Sequence, residues 1–433
     1  MIIDFDTHAY DFADIALPEV WTIRHRVDAP VIEDITASVR QAVSAFQDDP
    51  RLKPGASIAM GVGSRGIANL SVMVRAAVEA LIELGCQPFI VPAMGSHGGA
   101  TAEGQMEILA SYGVTAEAMG VPVRATMEVD RVGSLDDGYP IYFDRYALEA
   151  DGVIVLNRVK HHTDFKGPIE SGLCKMCAIG LGKRQGAEAI HRFGADGLSK
   201  IMPEVGRRLV QVGDVIGGIA IIENPYGQTA EIHGLRGADI GREAETALLE
   251  RARSMSPRLA FDQADVLVVD EMGKDISGTG MDTHVLGRVR MPSVPETDWD
   301  GPDIRMVVTL GLTEATHGNA AGLCLADIVT EHLMEQIDLK KTFTNHRTSQ
   351  EGGAYRGGIP IVLHSPDAAV RAAIGMCGRG DRSQVRLVRI QNTEHISRLQ
   401  VSEAFLAEVE RRSDLTVEAG PEPLQLDRTF VGR

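Results

Sequence analysis

Two patterns of apolar and polar positions alternate along the chain. Short unbroken apolar runs such as "ASIAMGV" (56–62) are followed by stretches such as "NLSVMVRAAVEALIELG" (69–85), whose apolar residues recur at helical spacing. The first pattern predicts buried strands and the second amphipathic helices. The alternation continues through the strand "PFIVPA" (88–93) and the helix "TAEGQMEILASYG" (101–113), with Thr101 as N-cap. Two more strands follow, "DGVIVLN" (151–157) and "GGIAIIEN" (217–224). The charged stretch "GREAETALLERARSM" (241–255) predicts a linker helix. A second series then begins, with strands "DVLVVD" (265–270), "RMVVTLGL" (305–312), "IPIVL" (359–363) and "VRLVRI" (385–390) and helices between them. "VSEAFLAEVERRS" (401–413) predicts a closing helix, and the last twenty residues an arm or a loose tail. The expectation is an α/β protein of two α/β domains joined by linker helices. The boundaries are 1–255 for the N-terminal domain, 256–395 for the C-terminal domain and 396–433 for the closing helix and arm.

A length of 433 residues agrees with two domains rather than one core. A net charge of -17 argues against nucleic acid as a partner, because phosphate binding needs a basic footprint. Apolar runs such as "GGIAII" are far shorter than a membrane span. The N-terminus "MIIDFDTHAYDF" is acidic and has no long apolar core, so it does not read as a signal peptide. Five cysteines make no disulfide framework, and a reducing, cytoplasmic location is expected.

Against this acidic background, residues 157–191 gather four lysines, two arginines, three histidines and two cysteines. Three polar clusters each follow a predicted strand: Ser64 and Arg65, then His97, then Lys160, His161 and His162. Ligands of open α/β sheets bind beyond the carboxyl ends of the strands, so the clusters share one rim if their strands share a sheet. "GVGSRG" (61–66) fits a strand, a tight glycine turn and a helix N-terminus whose N–H groups favour an anion. No acid ends the next strand, "PAMGSHGG", where a dinucleotide ribose would want one. Arg65 suits a single phosphate instead. Glycines flank His97 and leave its imidazole uncovered. His161 and His162 are adjacent and diverge, so one of them faces the site. Cys174 and Cys177 fall one helical turn apart on an apolar face and read as core residues rather than as a metal or redox pair.

Together, "GSRG" (63–66), "GSHGG" (95–99), "NRVKHHTDFKGPIESGLCKM" (157–176), "GLGKRQGAEAIH" (180–191), "HGNAAG" (317–322) and "IQNTEHISRLQVSEAF" (390–405) resemble the nickel-dependent lactate racemase superfamily of 2-hydroxyacid racemases and epimerases. The resemblance implies a nickel-pincer nucleotide in a cleft between the two domains. Lys175 would hold it through a thioamide, and His191 would be its nickel ligand. Ser64 and Arg65, framed by Gly63 and Gly66, would hold its phosphate. His97 and His162, or else His161, would be the alternating acid and base. Lys274 and Thr279 would meet the substrate, a small 2-hydroxy acid. The family's bulky side chains are replaced here by Gly278, Thr279 and Gly280, which would leave room for a larger or more polar hydroxy acid. The cofactor-making enzymes would be partners, and self-association into a homo-oligomer is left open. The other readings are a nicotinamide-dependent dehydrogenase built on the glycine turn and a non-catalytic nucleotide- or metal-binding homologue.

Overall fold

The structure, a computed structural model, describes residues 12–27, 29–63, 66–349 and 351–432. The chain divides into two compact units. One is continuous, residues 29–256. The other combines the N-terminal segment that carries strand Glu19–His25 with residues 257–433. The N-terminal segment therefore belongs with the C-terminal half.

Residues 29–256 form a five-stranded sheet. Its order is Gln87–Pro92, Ser57–Val62, Gly152–Arg158, Val215–Glu223 and Thr229–Arg236. The first four strands are parallel and the last is antiparallel. Side chains alternate between the two faces. Ile58, Met60 and Val62 pack with helices Ile35–Ser44 and Leu70–Glu83. Ala59, Val153 and Val155 pack on the opposite face with Leu173, Met202 and Leu249. Both faces being covered explains the unbroken apolar runs in the sequence. On helix Leu70–Glu83, Met73, Val74 and Leu81 are fully buried, each contributing roughly 1.5–3 kcal/mol. Thr101 caps helix Ala102–Ser111 by accepting the N–H of Gly104. The stretch expected as a linker forms helix Glu243–Ser254, which buries Leu249 and Ala252 in this unit.

The second unit is a mixed sheet of eight strands. Its order is Ile361–Leu363, Ile328–Thr330, Asp303–Leu312, Gln263–Met272, Leu387–Ile390, Arg398–Ser402, Glu19–His25 and Leu415–Pro423. The first five are parallel and the last three join antiparallel. The expected closing helix over 401–413 is mostly absent. Leu399 and Val401 are buried as strand residues, and only Leu406–Val409 is α-helical. Two-sided pairing of strand Arg398–Ser402 outweighs the helical spacing that follows it. The tail is not loose. Leu424, Leu426 and Phe430 are buried, and Arg389 donates to the carbonyls of Gln425 and Arg428 while gripping Asp270 at 2.7 Å. Among the described residues, no helix is long and apolar enough to cross a membrane.

Candidate active site

The strands that precede the three polar clusters, Ser57–Val62, Gln87–Pro92 and Gly152–Arg158, are parallel neighbours in one sheet. Their carboxyl ends lie along one rim. His97 and the cluster Lys160, His161 and His162 follow two of these ends; Ser64 and Arg65, after the third, lie outside the described residues.

Beyond Gly152–Arg158 the chain enters a loop organised by Glu170, a buried carboxylate. Glu170 accepts the N–H of His162 at 2.7 Å and of Gly167 at 3.0 Å, and pairs with Arg253 at 2.5 Å. His162 is half-buried; its Nδ1 accepts the N–H of Asp164 at 3.1 Å, and its ring lies against Phe165. His161 is buried, with Nδ1 3.0 Å from the Ser256 hydroxyl. The two rings diverge, and His162 is the more exposed.

His97 is half-buried in the loop beyond Gln87–Pro92. Gly95, Gly98 and Gly99 are left-handed there. A Cβ on Gly98 would come 2.6 Å from the backbone N of Gln105, so glycine is required. The side-chain amide of Gln105 donates to Gly95 O at 2.8 Å and His97 O at 3.3 Å. The loop joins the next segment through Gly95 N–H, which donates to Gly180 O at 3.2 Å.

The turn beyond Ser57–Val62 is described only in part. Ser64 and Arg65 lie outside the described residues, but the flanking N–H groups are already engaged. Gly66 N–H donates to the Tyr112 hydroxyl and Ala68 N–H to the Glu223 carboxylate at 2.8 Å. Glu223 is itself paired with Arg158. Gly63 is small because a Cβ there would lie 2.5 Å from Asn157 Oδ1 and 2.8 Å from Met176 Cε. The turn therefore lies directly against the residue that follows Lys175. At Gly66, which is left-handed, an added Cβ would meet open space.

Lys175 is half-buried and ends the short helix Leu173–Lys175, which runs into the π-helix Met176–Gly180. The buried Glu245 carboxyl receives the N–H groups of Cys174 at 3.1 Å and Gly241 at 2.8 Å. Burial pushes that carboxyl above the usual range, against the opposing pull of these N–H groups. Helix Lys183–His191 then folds back onto Met176–Gly180 and ends with His191, half-buried. Lys183 is fully buried, 3.1 Å from Asp144. Cys174 and Cys177 are fully buried, and burial pushes both thiols far up, as befits core residues. Among the described residues, no group of three His, Cys, Asp or Glu side chains gathers for a protein-only metal site.

In the other unit, Lys274 follows strand Gln263–Met272. Its N–H donates to Thr316, and its ammonium donates to Gly278 O. Thr279 is turned inward, with its hydroxyl donating to Met281 O at 2.6 Å. Gly280 leaves no spare room: it is left-handed, and a Cβ there would come 2.5 Å from Ala321 O and collide with Met272. Backbone geometry, not a wider substrate space, requires glycine at this position. The sequence reading missed Glu170, Gln105, Asp144, Glu245 and Glu223, which hold the loops from beneath.

Similar solved structures include a Thermotoga maritima protein determined by the Northeast Structural Genomics Consortium. It is 13% identical, with 66% of this chain and 72% of that one covered and a TM-score of 0.46. The lactate racemase apoprotein of Thermoanaerobacterium thermosaccharolyticum is 12% identical, with 83% and 86% covered and a TM-score of 0.43. No curated protein matches the sequence. The family model of the lactate racemase N-terminal domain matches residues 23–195, from strand Glu19–His25 to just past His191. Over those residues, less than half of the chain, the sequence is similar to the lactate racemase N-terminal domain.

Proposed function

We propose that the protein is a racemase or epimerase of a 2-hydroxy acid that works with a nickel-pincer nucleotide held by residues 29–256. One observation carries this reading. His97 follows strand Gln87–Pro92, and His162, Lys175 and His191 follow strand Gly152–Arg158 of the same parallel sheet, all inside the stretch that matches the lactate racemase domain.

The residues present fit that group. An amine and an imidazole, both half-buried, stand on two helical segments that pack together, and the glycine turn presses on Met176 beside the amine. Lys175 is the attachment point and His191 the metal ligand, a role a neutral imidazole suits. Ser64 and Arg65 are assigned the phosphate. When bound, the group supplies an electron-poor acceptor for the C2 hydride; such chemistry belongs to the cofactor. The protein's part is proton handling and positioning. His97 and His162, on loops beyond different strands, take the hydroxyl proton of one enantiomer each as a 2-keto acid forms, and the opposite histidine supplies a proton as the other enantiomer is made. His161, buried and bonded to Ser256, supports the loop.

The test is co-expression with the cofactor-making enzymes, followed by intact mass, nickel content and chiral analysis of a panel of 2-hydroxy acids. A covalent adduct lost in Lys175→Ala, with racemisation lost in His97→Ala and His162→Ala, is the expected result. Folded protein without adduct or nickel would overturn the reading.

A further inference from the structure

Beneath the His97 loop lies a buried polar relay that the proposed mechanism does not use. The Lys183 ammonium, fully buried, donates to Gln105 Oε1 at 3.2 Å, to Pro92 O, and pairs with Asp144 at 3.1 Å. Gln105, also fully buried, passes the connection on through Gly95 O at 2.8 Å and His97 O at 3.3 Å. Asp144 is fixed in turn by the N–H of Ala147 at 2.9 Å. Three carbonyls of the segment 92–97 are thus turned inward onto one amide and one ammonium. Lys183 also starts the helix that ends at His191, and it stands at the fold-back after Met176–Gly180 with a left-handed φ of 51°.

Stability alone is a poor reason for this arrangement. Burying an ammonium costs several kcal/mol that a well-packed apolar side chain would not incur. A left-handed backbone is cheaper with glycine. Burial pulls the ammonium down and pushes the Asp144 carboxyl up, so both charges are held at a cost. What the pair supplies is register: one side chain ties the loop of a proposed proton-transfer histidine to the turn between the proposed attachment lysine and metal ligand.

We propose that Lys183 and Gln105 are positioning residues that set the His97 loop relative to the fold-back carrying Lys175 and His191. The proposal rests on the functional reading above for its consequence, but not for its structural content. Gln105→Leu cuts the relay above Lys183 and leaves the Lys183–Asp144 pair in place; Gln105→Glu turns a carboxylate oxygen toward the Gly95 and His97 carbonyls while keeping an acceptor for Lys183.

The experiment is hydrogen exchange followed by mass spectrometry on the apoprotein, then cofactor loading and steady-state kinetics on the same variants. In the apoprotein, exchange at Gly95–Thr101 should speed up about tenfold in both variants, the effect of losing a buried hydrogen bond. Exchange in helix Leu70–Glu83 should stay unchanged. In the loaded enzyme, the Lys175 adduct and nickel should persist, while kcat falls roughly 10–100-fold at constant KM, the cost of a misplaced reacting group. Unchanged loop exchange would overturn the relay, and so would faster exchange spread evenly over the unit. If wild-type loaded protein racemises nothing while the loop exchange responds as expected, the functional reading fails and the relay stands. Lys183→Met is the harsher variant; Gln105→Leu keeps the question decidable if it does not fold.

Discussion

At His162, one hydrogen bond fixes the chemistry of a ring. Its Nδ1 accepts from Asp164 N–H, so the neutral ring carries its proton on Nε2. In that tautomer Nε2–H is a donor, and service as a base through Nε2 requires the proton to move to Nδ1 with loss of the Asp164 bond. Nitrogen-15 spectra of histidine-labelled protein at alkaline pH should show the Nε2–H tautomer at His162; an Nδ1–H signature would sink the assignment. A second residue-scale expectation concerns acid. Burial lowers the His25 pKa from its ordinary 6.5, outweighing the upward pull of Asp414 at 3.3 Å, and burial also lowers that of His346. A histidine held neutral stabilises the fold fully above pH ~6.5, and this contribution is lost as pH falls through the depressed native value. The unit with the eight-stranded sheet should therefore melt at a lower temperature at pH 5.5 than at 7.5. His25→Gln should flatten that slope; an unchanged slope in the variant would assign the effect elsewhere.

Among the elements, the turns after strands are the stringent parts. Gly63→Ala would press a methyl on Asn157 and Met176, and should cost about 1–3 kcal/mol by overpacking. Gly280→Ala should cost about 2 kcal/mol or more, because a positive φ is added to a backbone contact at Ala321. Urea titrations of each variant measure both, and a loss under 0.5 kcal/mol in either would refute the crowding argument. The parallel strands of residues 29–256 were legible in the sequence because burial on both faces leaves unbroken apolar runs. Strand Thr229–Arg236 was not: one of its edges alone is paired, and its polar residues interrupt the run. Strand Ile328–Thr330 is too short to show a period. The positions of His97, His162, Lys175 and His191 after strands were legible, but what holds their loops was not. A buried Lys183 has the same letter as an exposed lysine, and its left-handed backbone carries no glycine or asparagine to announce it. Carboxylates such as Glu170 and Glu245 read as solvated charge until the N–H groups they collect are known.

For the whole molecule, the two units differ in how the chain builds them. Residues 29–256 are continuous, so this segment expressed alone should fold cooperatively and keep the loops of the candidate site. Deleting residues 1–28 should leave that unit intact and unfold the other. Strand Glu19–His25 pairs with Arg398–Ser402 on one side and Leu415–Pro423 on the other, and buries Val20 and Ile23 completely. At roughly 1.5–3 kcal/mol per buried side chain, plus the broken ladders, the loss consumes most of a domain's usual ~5–15 kcal/mol. Calorimetry should show two transitions in the full chain and one in the deletion protein; two surviving transitions would refute the argument.

The same strand sets a schedule for synthesis. Val20 pairs with Ser402, so an early segment of the chain waits on the ribosome while roughly 380 residues are added before its neighbours exist. At 5–20 residues per second that is on the order of 20–80 s. Meanwhile residues 29–256 emerge with every strand of their own sheet and can close first. The waiting segment is a tether with two apolar side chains and two unpaired edges, exposed throughout translation. Nascent chains stalled before residue 398 should therefore be cut by protease ahead of residue 29 yet resist cutting within 29–256. Only a chain extended through Pro423 can protect both.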